Sequence, residues 1–280
     1  MSARQSALPF IFAAVFTSLG ACAKGGADPA KLDELDKRVA TLDTRLARIE
    51  TFLDKYINQP PPPPEPDPAS VYAVPIEGAP IKGPEVAPVT VVEAFDFACP
   101  YCEKAGPTMD ELRKLYGDKI RVAYKFFVVH PDVATEPALA ACAAAQQGKY
   151  TELEQLIWQK GFLAHDLGAD NMSKLAKQAK LDMTRFDADK KGATCAQRVE
   201  ADKADMARLG VNGTPAFFIN GRPLTGARPL ADFKQLIDEE LAKAEAAIAA
   251  GTPVGDYYRV AVLEKGLKEL APPAAQPKAP

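Results

Sequence analysis

The chain has 280 residues, 47% of them hydrophobic, a formal net charge of −3 and five cysteines. Lysine and arginine are scattered among aspartate and glutamate, so the one-sided basic stripe that a nucleic-acid backbone demands is missing and no nucleic-acid partner is expected. Roughly two hundred residues follow Pro84, enough for a core that needs neither disulfide staples nor a structural metal, which leaves the cysteines free for other chemistry.

Residues 1–21 carry one early positive charge, Arg4, and then an apolar run from Ala7 to Leu19 broken only by Pro9, Thr17 and Ser18. The run is short for a bilayer span, which takes about 20 residues, and has the charged, apolar and small-residue regions of a secretory signal peptide. Its end, Leu19-Gly20-Ala21-Cys22, resembles the lipobox of bacterial lipoproteins. Cys22 is then the lipidated N-terminus and the membrane anchor, with residues 22–30 as a tether; cleavage near Ala23 to a soluble protein is the alternative. Either way the expected compartment lies outside the cytoplasm, where disulfides persist: lipid-anchored at the periplasmic face of a bacterial membrane, or soluble in the periplasm if Cys22 is not modified.

Residues 31–57 hold four heptads: Leu32, Val39, Leu46 and Leu53 at a, Leu35, Leu42, Ile49 and Tyr56 at d. The g positions Lys31, Arg38 and Arg45 face e positions Asp36, Asp43 and Glu50 of the following heptads, so every such pair is of opposite charge. Those attractions form between parallel neighbouring chains, which predicts a coiled-coil homo-oligomer, a trimer ahead of a dimer because the a and d layers are mixed. An amphipathic helix folded back on its own domain is the alternative, but it does not require charge matching at both flanks.

The proline run from Pro60 to Pro68 lacks backbone donors and has fixed φ, so residues 58–83 read as a Pro-rich linker. In polyproline II form, at about 3.1 Å per residue, the run holds the globular part on the order of 30 Å from the coiled coil.

A globular domain is expected over residues 84–270. It opens with a buried strand over residues 88–97, followed by Cys99, a helix to Leu115 and a second strand over 120–129. A helix-rich insertion follows at about 134–209, then a hairpin turning at Asn220-Gly221, helices over 229–250 and 255–270, and a disordered tail, 271–280. This order describes an α/β domain with helices covering a small sheet.

Cys99-Pro100-Tyr101-Cys102 opens the first of these helices. A first sulfur at a helix N-terminus meets free N–H groups and the positive end of the dipole, which favour the thiolate. Cys99 is the expected attacking sulfur, and Cys102, one turn in and more buried, the resolving one. Pro100 suits the first turn, where its missing N–H has no intrahelical acceptor. A lone Cys-X-X-Cys is also half of a zinc site, but Cys142 and Cys195 lack paired spacing and the only histidines are His130 and His165, so no metal is expected. His130 reads as a local hydrogen-bonding residue and His165 as a surface one. A two-thiolate Cu(I) site in a binding lipoprotein is the alternative from another class. No nucleotide, flavin or haem motif is present, so the expected cofactor is the Cys99–Cys102 disulfide itself.

Phe95-Asp96-Phe97-Ala98-Cys99-Pro100-Tyr101-Cys102 and, far downstream, the segment from Gly210 through Thr214-Pro215 to Gly221 together resemble the DsbA family of thioredoxin-fold proteins. The resemblance implies a thioredoxin fold with a helical insertion, and a Thr214-Pro215 bond that is cis and faces the active-site sulfur, beside which an extended substrate chain binds like an added strand. It makes Glu93 a candidate buried acid exchanging protons with Cys102, against the plain alternative of a charged residue near a strand edge. The Pro-Tyr dipeptide lacks the histidine of the strongly oxidising prototype. Similar sequences place cysteines at the points of Cys142 and Cys195, and an extracytoplasmic setting favours a disulfide between them over two buried free thiols. With its N-terminal stalk the layout resembles the trimeric suppressor-of-copper-sensitivity C proteins. That resemblance implies a disulfide isomerase or reductase acting on exported proteins, served by a membrane redox partner, with an anchored dithiol oxidase as the runner-up.

Overall fold

The computed structural model describes residues 28–57 and 64–270. The signal segment, Cys22, the first prolines of the linker and the tail fall outside them.

The first helix, α1 (Pro29–Ile57), is capped by Asp28, whose Oδ1 accepts from the Ala30 amide at 3.0 Å. Leu32, Leu35, Val39, Leu42, Leu46, Ile49 and Leu53, seven of the eight a and d residues of the heptads, are each 46–59% exposed.

The folded domain is built on five strands: β1 (Ile81–Lys82), β2 (Val89–Phe95), β3 (Ile120–Phe126), β4 (Ala216–Ile219) and β5 (Arg222–Thr225), in the order β1-β3-β2-β4-β5. β2 and β3 are parallel and the other pairs antiparallel. β2, VTVVEAF, is buried along its whole length because both faces of the sheet are covered. Val89, Val91 and Phe95 point to one face, against Met109 and Leu112 of α2 (Pro100–Tyr116) and Phe233 and Ile237 of α8 (Leu230–Ala249). Val92 and Ala94 point to the other, against Met206, Leu209 and Tyr72. By the strand's period of two, Glu93 lies on the first face, with α2.

Between β3 and β4 the chain forms α3 (Pro131–Ala145), α4 (Tyr150–Leu156), which runs on helically through Phe162, α5 (Ala169–Gln178), α6 (Met183–Lys191) and α7 (Ala193–Arg208). Cys142 of α3 and Cys195 of α7 are joined by a disulfide spanning 53 residues, and both are almost inaccessible. A buried ion pair adds to this clamp: Lys125 Nζ lies 2.6 Å from Asp202 Oδ1, while Asp202 Oδ2 accepts from the Phe126 amide at 3.1 Å, fixing α7 to β3. Replacing Cys142 and Cys195 together by alanine is expected to lower stability by about 4 kcal/mol for a loop of this length, measured by denaturant unfolding without reductant, and to leave the reactivity of Cys99 unchanged.

The expected boundaries need two corrections. The linker does not extend to residue 83: Tyr72 and Val74 are buried, the Tyr72 amide donates to Gly221 O at 2.8 Å, and β1 pairs with β3. Prolines 75, 80 and 84 break any strand or helix periodicity here, so segment 70–83 has no local pattern although it completes the sheet edge. Gly221, at φ 84°, is required by this clasp, because a side chain there would stand 2.5 Å from the Tyr72 carbonyl oxygen. At the other end, the last helix stops early. α9 (Val254–Tyr257) continues helically to Leu263, and residues 264–270 then pass through turns and bends, with Leu267 bridging to Tyr72.

Candidate active site

β2 delivers the chain to the site, and Asp96 holds the turn that follows. Its carboxylate, 1% exposed, accepts from the amides of Ala98 (2.6 Å), Val129 (2.7 Å) and His130 (2.8 Å), with His130 Nδ1 at 3.1 Å. Two loops that meet only in the fold are thus tied to one group just before Cys99. Cys99 takes the N-cap position of α2 with extended backbone, and Pro100 is the first helical residue.

Both cysteines are unpaired and buried, Cys99 4% and Cys102 2% exposed, so exposure does not separate their roles as the sequence suggests. Electrostatics does. The Cys99 thiol is pulled down to about 5, first by the Cys102 thiol donating to it, then, against the cost of burial, by Thr214 and by the Cys102 and Tyr101 amides at the helix start. The Cys102 thiol is pushed far above its ordinary value by burial, by its bond to Cys99 and by Glu93. The Thr214–Pro215 bond is cis. The Cys99 thiol lies 3.3 Å from the Thr214 carbonyl oxygen, and the buried Thr214 hydroxyl has no hydrogen-bond partner among the described residues.

Glu93, 4% exposed, is raised to about 8 by burial and then by Glu154, with Lys82 opposing. It shares a cavity of about 210 Å³ with Cys102, Lys82 and Glu154. The structure therefore brings Cys99, Cys102, Thr214, Pro215 and Glu93 into one neighbourhood. Tyr101 stands out at the surface, 59% exposed, and His165 is exposed, while Cys142 and Cys195 form their own clamp in the insertion. Sequence reasoning gave no role to Asp96, Lys82 or Glu154. Asp96 lies inside the motif and is flagged by position alone; Lys82 and Glu154 are 72 residues apart and meet only through β1 and α4.

A Cys-X-X-Cys pair at a helix start, facing a cis-proline loop across a five-stranded mixed sheet, is the arrangement of a thioredoxin-type redox protein. A family model described as Thioredoxin matches residues 77–239, and the chain belongs to that family, with the fold of its DsbA-like members. A thioredoxin-like oxidoreductase from Silicibacter pomeroyi is 26% identical over 58% of this chain and 91% of its own, with a TM-score of 0.54. The catalytic domain of Proteus mirabilis ScsC shares the fold at 21% identity, covering 59% and 90% of the two chains, with a TM-score of 0.52. The family match and the Silicibacter pomeroyi protein support thiol-disulfide oxidoreductase activity; the ScsC domain shows the fold alone. Among curated proteins, the Na(+)/H(+) antiporter NhaA of Herminiimonas arsenicoxydans is 35% identical over 147 residues, which is 52% of this chain and 23% of that protein. The chain spans under a quarter of the length of such relatives, and none of its described helices is long and apolar enough to cross a membrane.

Proposed function

We propose that the protein is an extracytoplasmic disulfide isomerase or reductase acting on exported proteins. Cys99 attacks, Cys102 resolves, Glu93 exchanges the proton of Cys102, and the cofactor is the protein's own Cys99–Cys102 disulfide. The observation that carries the exchange chemistry is the opposite perturbation of two sulfurs in one motif, Cys99 down to about 5 and Cys102 far up. A thiolate leaving group and attacker next to a protonated resolver is what mixed-disulfide exchange needs.

The isomerase reading rests on α1. Seven apolar residues along one exposed stripe, flanked by oppositely charged g and e positions, suit parallel association with further copies, three ahead of two. Several Cys99 sites facing a shared space raise the effective concentration at which a misfolded substrate is re-engaged. Lipidation at Cys22 puts the site at the periplasmic face of a membrane, beside a membrane redox partner that resets the pair. A second reading, an anchored dithiol oxidase, is favoured by the acidity of Cys99, because a stabilised thiolate makes the disulfide more oxidising.

Deleting residues 31–57 separates the two. Reactivation of scrambled ribonuclease is expected to fall about tenfold or more as the effective concentration is lost, while insulin reduction per Cys99 stays constant. The expected potential against glutathione lies between roughly −270 and −120 mV, since a thiol near 5 falls between the thioredoxin and DsbA cases. Isomerase activity indifferent to the deletion, with a potential at the oxidising end, decides for the oxidase.

A further inference from the structure

β2 and β3 are parallel neighbours in register at Phe95 and Phe126, and the Phe127 amide donates to the Phe95 carbonyl at 2.9 Å. Cys99 comes four residues after Phe95 and His130 four after Phe126, so both leave the sheet at the carboxyl ends of adjacent parallel strands, where α/β folds collect their reactive groups. Asp96 joins them. Its carbonyl accepts from the Cys99 amide at 3.0 Å, and its buried carboxylate reaches the His130 ring, Nδ1 to Oδ2 3.1 Å.

The ring contact is not needed to satisfy the carboxylate. Oδ1 already accepts from the Ala98 amide, and Oδ2 from the amides of Val129 and His130. Nor does His130 cap α3: it stands at the N-cap position, and its side chain makes no capping bond. What the contact does is orient the imidazole. A carboxylate only accepts, so Nδ1 carries the hydrogen and Nε2 is turned away from Asp96. The side chain is 49% exposed, and Nε2 has no protein partner among the described residues. An imidazole held through one nitrogen by a buried carboxylate, with the other nitrogen open, is the arrangement that gives and takes protons.

Attack by Cys99 creates a need for such a group. A thiolate held at about 5 is a weakened nucleophile, and the sulfur it expels from an ordinary cystine is far more basic than itself. Resting on the exchange reading of Cys99 and Cys102, we infer that His130 is the acid and base for the substrate sulfur, with Asp96 as its positioning residue. The Cys99 thiolate bonds to one substrate sulfur, and the substrate S–S bond breaks with its electron pair on the departing sulfur. That sulfur lies two S–S lengths, about 4 Å, beyond Cys99 Sγ, and the proton on Nε2 passes to it. The ring is left neutral with its Nδ1–H still on Asp96, and water restores the proton. In the oxidative direction neutral Nε2 takes the proton of an incoming substrate thiol. The sulfur of that thiol bonds to Cys99, and the electron pair of the broken Cys99–Cys102 bond goes to Cys102.

The test mixes the reduced full chain with an excess of one of two small disulfides, quenches in acid at set times, and follows the loss of free Cys99 by mass. Dithiobis(nitrobenzoate) releases an aromatic thiolate that needs no proton; hydroxyethyl disulfide releases a basic alkyl thiolate. His130→Asn keeps a donor near the Nδ1 position for Asp96 and removes Nε2. It is expected to slow attack on hydroxyethyl disulfide about a hundredfold more than attack on the aromatic disulfide, the low end for a positioned proton donor. A merely structural role would slow both alike, so a ratio of the two rates unchanged by His130→Asn overturns the assignment while leaving exchange intact. Asp96→Asn still accepts from the amides but no longer forces the hydrogen onto Nδ1, and is expected to move the ratio in the same direction; a ratio it leaves unmoved overturns the positioning role. Failure of the unsubstituted chain to consume either disulfide overturns the exchange reading and this inference with it.

Discussion

Cys102→Ser is expected to turn the protein into one that reacts once and then stays attached to its substrate. The Cys99 thiolate attacks a disulfide sulfur and expels the other as a thiolate, leaving a mixed disulfide. The sulfur at position 102 that would displace it is gone, and a serine hydroxyl does not replace it. Turnover in insulin reduction should fall by more than about a thousandfold, as for other nucleophile deletions, while covalent adducts through Cys99 accumulate on non-reducing gels. Serine keeps an O–H, so the largest cause of the acidity of Cys99, the donor at position 102, survives the change. Cys102→Ala removes that donor, and the Cys99 titration should move up from about 5 toward its ordinary value. Thiolate absorbance in the ultraviolet, followed against pH for the two variants, measures the difference. Wild-type turnover in Cys102→Ser would remove the resolving role, and identical titrations would remove the donor role.

The parts of this site that are local in sequence were legible in it. Cys99-Pro100-Tyr101-Cys102 announces a helix start because proline suits the first turn, where its missing N–H has no intrahelical acceptor, and β2 announces itself through a run of β-branched and aromatic residues. Asn220-Gly221 marked the β4–β5 hairpin, and the structure has both residues at positive φ, 45° and 84°, as such a turn requires. The facing of Thr214 and Pro215 across 115 residues was available only by resemblance, because no local rule says which sulfur a proline loop meets. What escaped was buried charge. Lys82 sat in a stretch whose prolines looked like linker, and Glu154 in a helix whose other acid, Glu152, is exposed. Nothing in either segment tells a carboxylate bound for the interior from one bound for water; that is decided by β1 pairing with β3 and by α4 lying against the sheet. Asp96 was missed for a related reason. Its partners, the Val129 and His130 amides, are backbone groups, and sequence carries no mark of where an amide will lack a partner.

Glu93→Gln is expected to raise stability and lower activity together. The folded protein holds the Glu93 proton up to about pH 8, against an ordinary value of 4.5. Below 4.5 both folded and unfolded chains carry the proton and the group costs nothing; as pH rises toward 8 the unfolded chain releases it and the folded one does not, so stability falls across that window. At pH 7 the loss is on the order of 3 kcal/mol. Glutamine ionises in neither state, so the substitution should recover an amount of that order at pH 7 and almost nothing at pH 4, read by denaturant unfolding of the disulfide form. The oxidised form is the right one to use, because in the reduced protein the depressed Cys99 thiol acts in the opposite sense, adding stability as pH climbs from about 5 to 9. The Cys99 charge is also the least of the influences on Glu93, so its loss on oxidation leaves the window nearly in place. Resolution of the mixed disulfide should slow about a hundredfold without its proton acceptor. A side chain kept only for packing would not give that pair of signs. A stability gain equal at pH 4 and pH 7, or a loss at pH 7, would mean that the fold does not raise the Glu93 carboxyl above its ordinary value.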